Sequence, residues 1–252
     1  MKVNRDKILN LILMVIPLAC ILLIWQIEAE KIDNEFILTG IGATFKALIG
    51  LLKQVEFYRA FWGTLYRTFI AFGLSFVIAT ALAFLSRISK KADIMIAPVI
   101  SVIRSLPTIA VVLLLLLWTN SKVAPIIVTT LVVLPTTYNS MRDAFFSVDD
   151  ELVKALRLFN VSTGEMLLKV YLPQILPPAL LAIGGGIALN LKLMVAAEVI
   201  AQTANSLGYI LNTSKAYLEI ASMIAVVVVS VIVGLIVESV FRLISNKVGK
   251  WQ

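Results

Sequence analysis

Residues Asp149–Pro178 read DDELVKALRLFNVSTGEMLLKVYLPQILPP, a polar interval between two apolar runs long enough to cross a bilayer. The pattern is that of two short helices with a break between them. Asp149, Asp150 and Glu151 put negative charge at the start of the first, where a helix dipole favours it. Leu152, Leu156 and Phe159 recur at spacings of four and three, which makes one apolar stripe. Ser162, with Glu165 three residues on, is a capping box for the second helix, which Pro173 is expected to limit. A polar loop that carries two amphipathic helices predicts a docking face.

Working outward, the whole chain has the composition of a membrane protein. Of 252 residues, 60% are hydrophobic and 15% charged, and the mean hydropathy is +0.97. A soluble domain of this length carries about 25% charged residues. The net charge of +7 is spread between hydrophobic runs rather than gathered in one patch, so it predicts no nucleic-acid partner. One Cys and no His exclude a disulfide framework, a Cys/His metal site and His-based acid–base chemistry. No cofactor is expected.

Six apolar segments predict an all-α polytopic fold. Residues 8–27 follow Lys2, Arg5 and Lys7 and are long enough to span ~30 Å of hydrocarbon. Pro17-Leu18-Ala19-Cys20 resembles a lipoprotein cleavage site, but apolar sequence continues beyond it, and the segment reads as a first transmembrane helix. Ile37, Ile41, Phe45, Leu48 and Leu52 recur at helical spacing and predict an interfacial amphipathic helix. The second span is 59–85, with small residues for close packing. The third, 94–118, contains Pro98 and Pro107, and a kink or break is expected at Arg104-Ser105-Leu106-Pro107. The fourth is 125–141, the fifth 176–199 with Gly184-Gly185-Gly186, and the last 220–241. A loop of roughly 20 residues, containing Ser206-Leu207-Gly208-Tyr209, joins the last two.

Six spans put both termini on one side. The segments on that side hold thirteen basic residues: Lys2, Arg5, Lys7, Arg87, Lys90, Lys91, Arg142, Lys154, Arg157, Lys169, Arg242, Lys247 and Lys250. The opposite loops hold six, Lys31, Lys46, Lys53, Arg59, Lys122 and Lys215. The excess predicts that the termini and the loop 142–173 are cytoplasmic.

The loop resembles the cytoplasmic coupling loop of permease subunits of ATP-binding-cassette importers, which carry E-A-A-(three)-G-(nine)-I-x-L-P. Lys154-Ala155-Leu156 stands at E-A-A, Asn160 at the Gly, and Val170-Tyr171-Leu172-Pro173 at I-x-L-P. Lys154 reverses the Glu charge, Leu156 replaces Ala, and Asn160 is the residue next best suited to a left-handed helix end. Further fragments are similar to the nitrate/sulfonate/taurine-type permeases: Thr64-Leu65-Tyr66-Arg67 with Gly73, Arg104-Ser105-Leu106-Pro107, Leu117-Trp118, and Ala197-Glu198 followed by Ser206-Leu207-Gly208-Tyr209.

The resemblance implies a type I ABC importer permease in a bacterial inner membrane, with six transmembrane helices in one domain. It implies a homodimer that forms the pathway for a small anion such as nitrate, a sulfonate or taurine. ATP chemistry then belongs to a separate cytoplasmic ATPase, because the chain lacks G-x-x-x-x-G-K-[ST], and an extracytoplasmic solute-binding protein delivers substrate. Lys154, Ala155, Leu156, Phe159, Asn160, Ser162, Leu172 and Pro173 are the implied ATPase-coupling residues.

Charges inside spans cost ~2.5–3.5 kcal/mol each on insertion scales and are functional candidates by default. Arg104, beside Pro107, either faces the translocation path or pairs with a carboxylate or with carbonyls freed by the proline; Glu198 is one such carboxylate. Glu198 itself reads as a structural or gating ion pair. Lys192 lies roughly 240° around the helix from Glu198, facing the pathway, a partner or lipid headgroups. Arg67 and Glu238 lie near span ends and are expected to snorkel or pair locally.

Two other protein classes share parts of this pattern. An ATP-independent secondary carrier or channel is the alternative, but it is marked by repeats with paired broken helices, which the chain does not display. A lipid-group transferase needs clustered carboxylates or His, and Asp149-Asp150-Glu151 has no basic or metal-binding complement nearby.

Overall fold

The computed structural model describes residues 2–159 and 161–249. Among these there is no strand, as the all-α reading requires. In chain order the helices are α1 (Lys2–Ile32), α2 (Ile41–Leu52), α3 (Val55–Ile88), α4 (Lys90–Ser105), α5 (Thr108–Trp118) and α6 (Ala124–Phe146). They continue with α7 (Asp150–Leu158), α8 (Thr163–Met166), a π-helical turn (Leu167–Tyr171), α9 (Leu172–Ala201), α10 (Leu207–Ala216) and α11 (Ile220–Gly249).

Two compact units divide the chain, Met1–Tyr58 with Ile210–Val228, and Arg59–Tyr209 with Val229–Gln252. In the first, α1 is tied to the start of α2. Trp25 Nε1–H donates to the Thr39 carbonyl at 3.0 Å, and Gln26 Oε1 accepts the Ile41 amide at 3.0 Å. Ile37, expected on the α2 stripe, lies in the preceding turn, and Phe45 and Leu52 are exposed.

The second unit is built around α6 and α9, which pack against each other along much of their length. Ala79 and Ala83 of α3 pack with Ile100 of α4, Leu134, Tyr138 and Met141 of α6, and Ala179 of α9. Val112 of α5 packs with Val128 of α6 and with Ala197 and Ala201 of α9. The glycine run of α9 permits close approach of α11 and α3. A Cβ on Gly184 would lie 2.5 Å from Cβ of Phe241, and one on Gly186 would strike the Phe72 ring, whereas Gly185 faces open space.

The third apolar segment breaks where Pro107 predicts. Helices α4 and α5 meet at 88° and pass the length and apolarity needed for a span only as a pair. Helix α3, the continuous run Thr163–Ala201 and α11 pass it singly among the described residues. The six-span reading also counts α1 and α6, whose 31 and 23 residues correspond to about 46 and 35 Å.

Several boundaries differ from expectation. Pro173 does not limit the second loop helix, because α8, the π turn and α9 form one rod. The Leu172 amide bonds back to the Leu167 carbonyl, and this wider turn falls where Pro173 lacks a donor. The fourth span continues to Phe146, so residues 142–146 belong to α6 rather than to the loop. The expected loop after the fifth span contains α10, ten residues whose mixed polarity hides the helical period.

Candidate functional site

The loop between α6 and α9 has its own small core. Val148, Val153, Met166 and Val170 are buried together, with Leu156, Val161 and Tyr171 packed around them. Asp149 Oδ1 accepts the Glu151 and Leu152 amides at 2.9 and 3.1 Å and so caps α7, while the Asp149 amide donates to Gln174 Oε1 at 2.9 Å. The expected capping box is present: Ser162 Oγ accepts the Glu165 amide at 3.2 Å.

The expected stripe of Leu152, Leu156 and Phe159 is split. Leu156 faces the loop core, but α7 ends at Leu158, so Phe159 turns away from it. Leu158 and Phe159 are 84% and 80% exposed, two large apolar side chains at the tip of a braced helix. Lys154 and Ala155 are exposed beside them, Leu172 is exposed on the rod, and Pro173 is half-buried. Asn160 lies outside the described residues.

At the root of this loop, polar contacts join α3 to α7, α6 to α4 and α3 to α6. Arg87, at the end of α3, pairs with Asp150, the first residue of α7. Arg142 of α6 makes a two-pronged pair with Asp93 of α4, Nε to Oδ1 and Nη2 to Oδ2, both 2.7 Å. Ser86 and Tyr138 share a buried hydrogen bond of 2.8 Å between α3 and α6.

From there a polar groove of about 320 Å³ runs along α4 and α6, lined by Asp93, Ser101, Arg104, Tyr138, Asn139 and Arg142. Arg104 is exposed in it and has no ion pair among the described residues. Pro107, also exposed, starts α5. Lys192 is exposed on α9, on a different face from Glu198.

Glu198 is fully buried and holds a cluster that the sequence reading divided among unrelated segments. Its Oε1 accepts from Arg67 Nε at 2.7 Å and its Oε2 from Thr64 Oγ1 at 2.8 Å. Arg67 also donates to the Asn205 carbonyl at 3.0 Å, and Thr64 Oγ1 accepts the Leu207 amide at 2.9 Å. A Cβ on Gly208 would lie 2.5 Å from Cβ of Glu198, so glycine is what lets α10 start there. Glu198 therefore pairs with Arg67, not Arg104. Arg67 corrects the expectation of local pairing, whereas Glu238 pairs one turn away with Arg242 at 2.6 Å.

Residues 71–250 match the family described as binding-protein-dependent transport system inner membrane component. The chain belongs to this family. SsuC of Bacillus subtilis, named as an aliphatic sulfonates transport permease, is 25% identical over 239 residues, 93% of this chain and 85% of the relative. A Methanocaldococcus jannaschii protein named as an ABC transporter permease is 23% identical over 257 residues, all of this chain and 95% of that one. Among solved structures, the inward-facing MetNI methionine ABC transporter aligns with a TM-score of 0.63 at 21% identity, over 76% of this chain and 95% of its own. An amino acid ABC transporter solved with histidines aligns at 0.61 and 20% identity, over 73% and 90%.

The binding-protein-dependent permease is thus a multi-pass membrane transport component rather than an enzyme, and its family implies a separate ATPase and a binding protein as partners. Sequence reasoning misses Asp93, Arg142, Arg87 and Asp150 as site residues and places Arg67 only near a span end. The sequence did carry one usable signal: the Thr64–Arg67 and Glu198–Gly208 fragments both resemble one permease subgroup, and they meet in a single cluster.

Proposed function

We propose that this permease forms the pathway for a small anion as a homodimer, with termini and the α7 loop cytoplasmic, and that α7 receives the stroke of the ATPase through Leu158 and Phe159. The observation that carries this reading is the exposure of those two side chains on a helix whose other face is fixed by Val148, Val153, Met166 and Val170. A surface helix that only connected two spans would gain by burying Phe159 or replacing it with a polar residue. A braced helix with an apolar tip suits insertion into a groove of a partner. The tip also explains why Lys154 and Leu156 can depart from the family pattern: Leu156 serves the loop core, and Lys154 lies on the exposed side.

The anion reading is supported by Arg104, a cation without a carboxylate partner among the described residues, in a groove that also offers Ser101 and Asn139 as hydrogen-bonding groups. SsuC, named for sulfonates, is consistent with it. A permease of this family has half the pathway per copy, and two-fold pairing of identical chains completes it most economically.

One reconstitution tests both halves. With its ATPase and binding protein in proteoliposomes, Phe159→Asp is expected to insert normally while uptake and substrate-stimulated ATP hydrolysis fall together. Arg104→Gln is expected to lower uptake of sulfonate or nitrate while leaving basal ATP hydrolysis unchanged. Full stimulation in Phe159→Asp would remove the coupling role, and undiminished anion uptake in Arg104→Gln would remove the substrate reading.

A further inference from the structure

Phe146 is the last residue of α6, and two guanidiniums lie over its ring. The Arg142 Cζ is 4.6 Å from the ring centroid and that of Arg87 is 5.3 Å away, both within cation–π range. Each of these arginines holds a different helix. Arg87 reaches from α3 to Asp150 at the start of α7, and Arg142 grips Asp93 at the start of α4. Arg142 and Asp93 are also walls of the groove that contains Arg104. One aromatic ring is therefore shared by the arginine that reaches α7 and the arginine that reaches α4.

We propose that the Arg87–Phe146–Arg142 stack is the positioning element that transmits motion of α7 to α4, so that Phe146 decides how tightly ATP turnover and groove geometry are linked. The proposal rests on the coupling role of α7 given above. Two cations sharing one ring repel each other, and the arrangement holds because Asp150 and Asp93 neutralise one each. Pulling Asp150 away from Arg87 removes one of these counter-charges. Arg87 then faces Arg142 uncompensated, and the easiest relief is a shift of α3 or of the Arg142–Asp93 pair. The element thus has two arrangements that a displacement of α7 selects between, which is the physical requirement for transmission. Phe146 suits the role because it is 43% exposed and no member of the loop core, so its ring serves the arginines more than the packing.

The test compares Phe146→Leu with Phe146→Trp in the reconstituted importer. Phe146→Leu keeps apolar bulk and removes the π face; Phe146→Trp restores it. The expected result is that both variants co-purify with the ATPase and retain basal hydrolysis. Substrate-stimulated hydrolysis and uptake should fall by at least about fivefold in Phe146→Leu, the lower end of usual coupling factors, and return in Phe146→Trp. Wild-type stimulation in Phe146→Leu, or equal loss in both variants, would overturn the proposal. Should Phe146→Leu fail to insert, the cation decides: Arg87→Gln should lose stimulation and Arg87→Lys, which keeps a positive charge for the ring and for Asp150, should retain it, while wild-type stimulation in Arg87→Gln or equal loss in both overturns the proposal. The coupling reading fails separately, by wild-type behaviour of Phe159→Asp, so the two failures are told apart.

Discussion

Two polar clusters of the second unit are of opposite character. Near Ala201, Glu198 is fully buried and takes hydrogen bonds from Thr64 and Arg67, with Arg67 only 11% exposed. The root of α7, by contrast, is held by Arg87–Asp150 and Arg142–Asp93, whose side chains are 23–58% exposed. A buried carboxylate that loses its partner leaves an uncompensated charge, at a cost of about 3–5 kcal/mol, whereas exposed pairs contribute about 0–1 kcal/mol. The first cluster is therefore a fastener that seldom opens, and the second can be rearranged by a modest force. On the proposed coupling role of α7, this asymmetry would let the Glu198 cluster keep the bundle together while the pairs at the root of α7 rearrange.

The comparison breaks most readily at Glu198. Glu198→Ala is expected to destabilise the protein by about 3–5 kcal/mol, seen as a large fall in thermal stability in detergent and in folded yield. Replacing Arg67 and Glu198 together by Met and Leu should recover much of that loss; if Glu198→Ala is as stable as the wild type, the cluster is no fastener. A smaller effect, about 1 kcal/mol, is expected for Asp93→Asn, with altered transport at nearly unchanged melting temperature. A melting shift as large as that of Glu198→Ala would erase the distinction between the two clusters. The smallest belongs to Glu238→Gln, which removes an exposed one-turn pair with Arg242 and should change stability by less than about 0.5 kcal/mol. It serves as the baseline for the other two.

What the sequence made legible follows from local chemistry. Pro107 removes a backbone donor, and the break between α4 and α5 follows. Ser162 and Glu165 are three residues apart, and the cap forms. What it hid depended on partners distant in the chain. Arg67 and Glu198 are separated by 131 residues, and nothing in either segment says that they meet. Pro173 carries the same local signal as Pro107, yet the π turn before it absorbs the missing donor and the rod continues. Spacing places Phe159 on the apolar stripe only if the helix is unbroken, whereas α7 ends one residue earlier and releases the ring to the surface. Asp150 and Arg87 read as a dipole charge and a topology signal, and their pairing across α3 and α7 gives both a further role.

The most direct measurement of whether ATPase motion enters at the tip of α7 is a cross-link. Cys20 is the sole cysteine, so Cys20→Ser with Leu158→Cys gives a single thiol at the tip. In the assembled importer this thiol is expected to cross-link to the ATPase subunit, with a yield that changes between nucleotide-free and ATP-bound states. A thiol that reacts only with lipid-phase reagents, or stays freely accessible to water-soluble ones with the ATPase bound, would contradict the account.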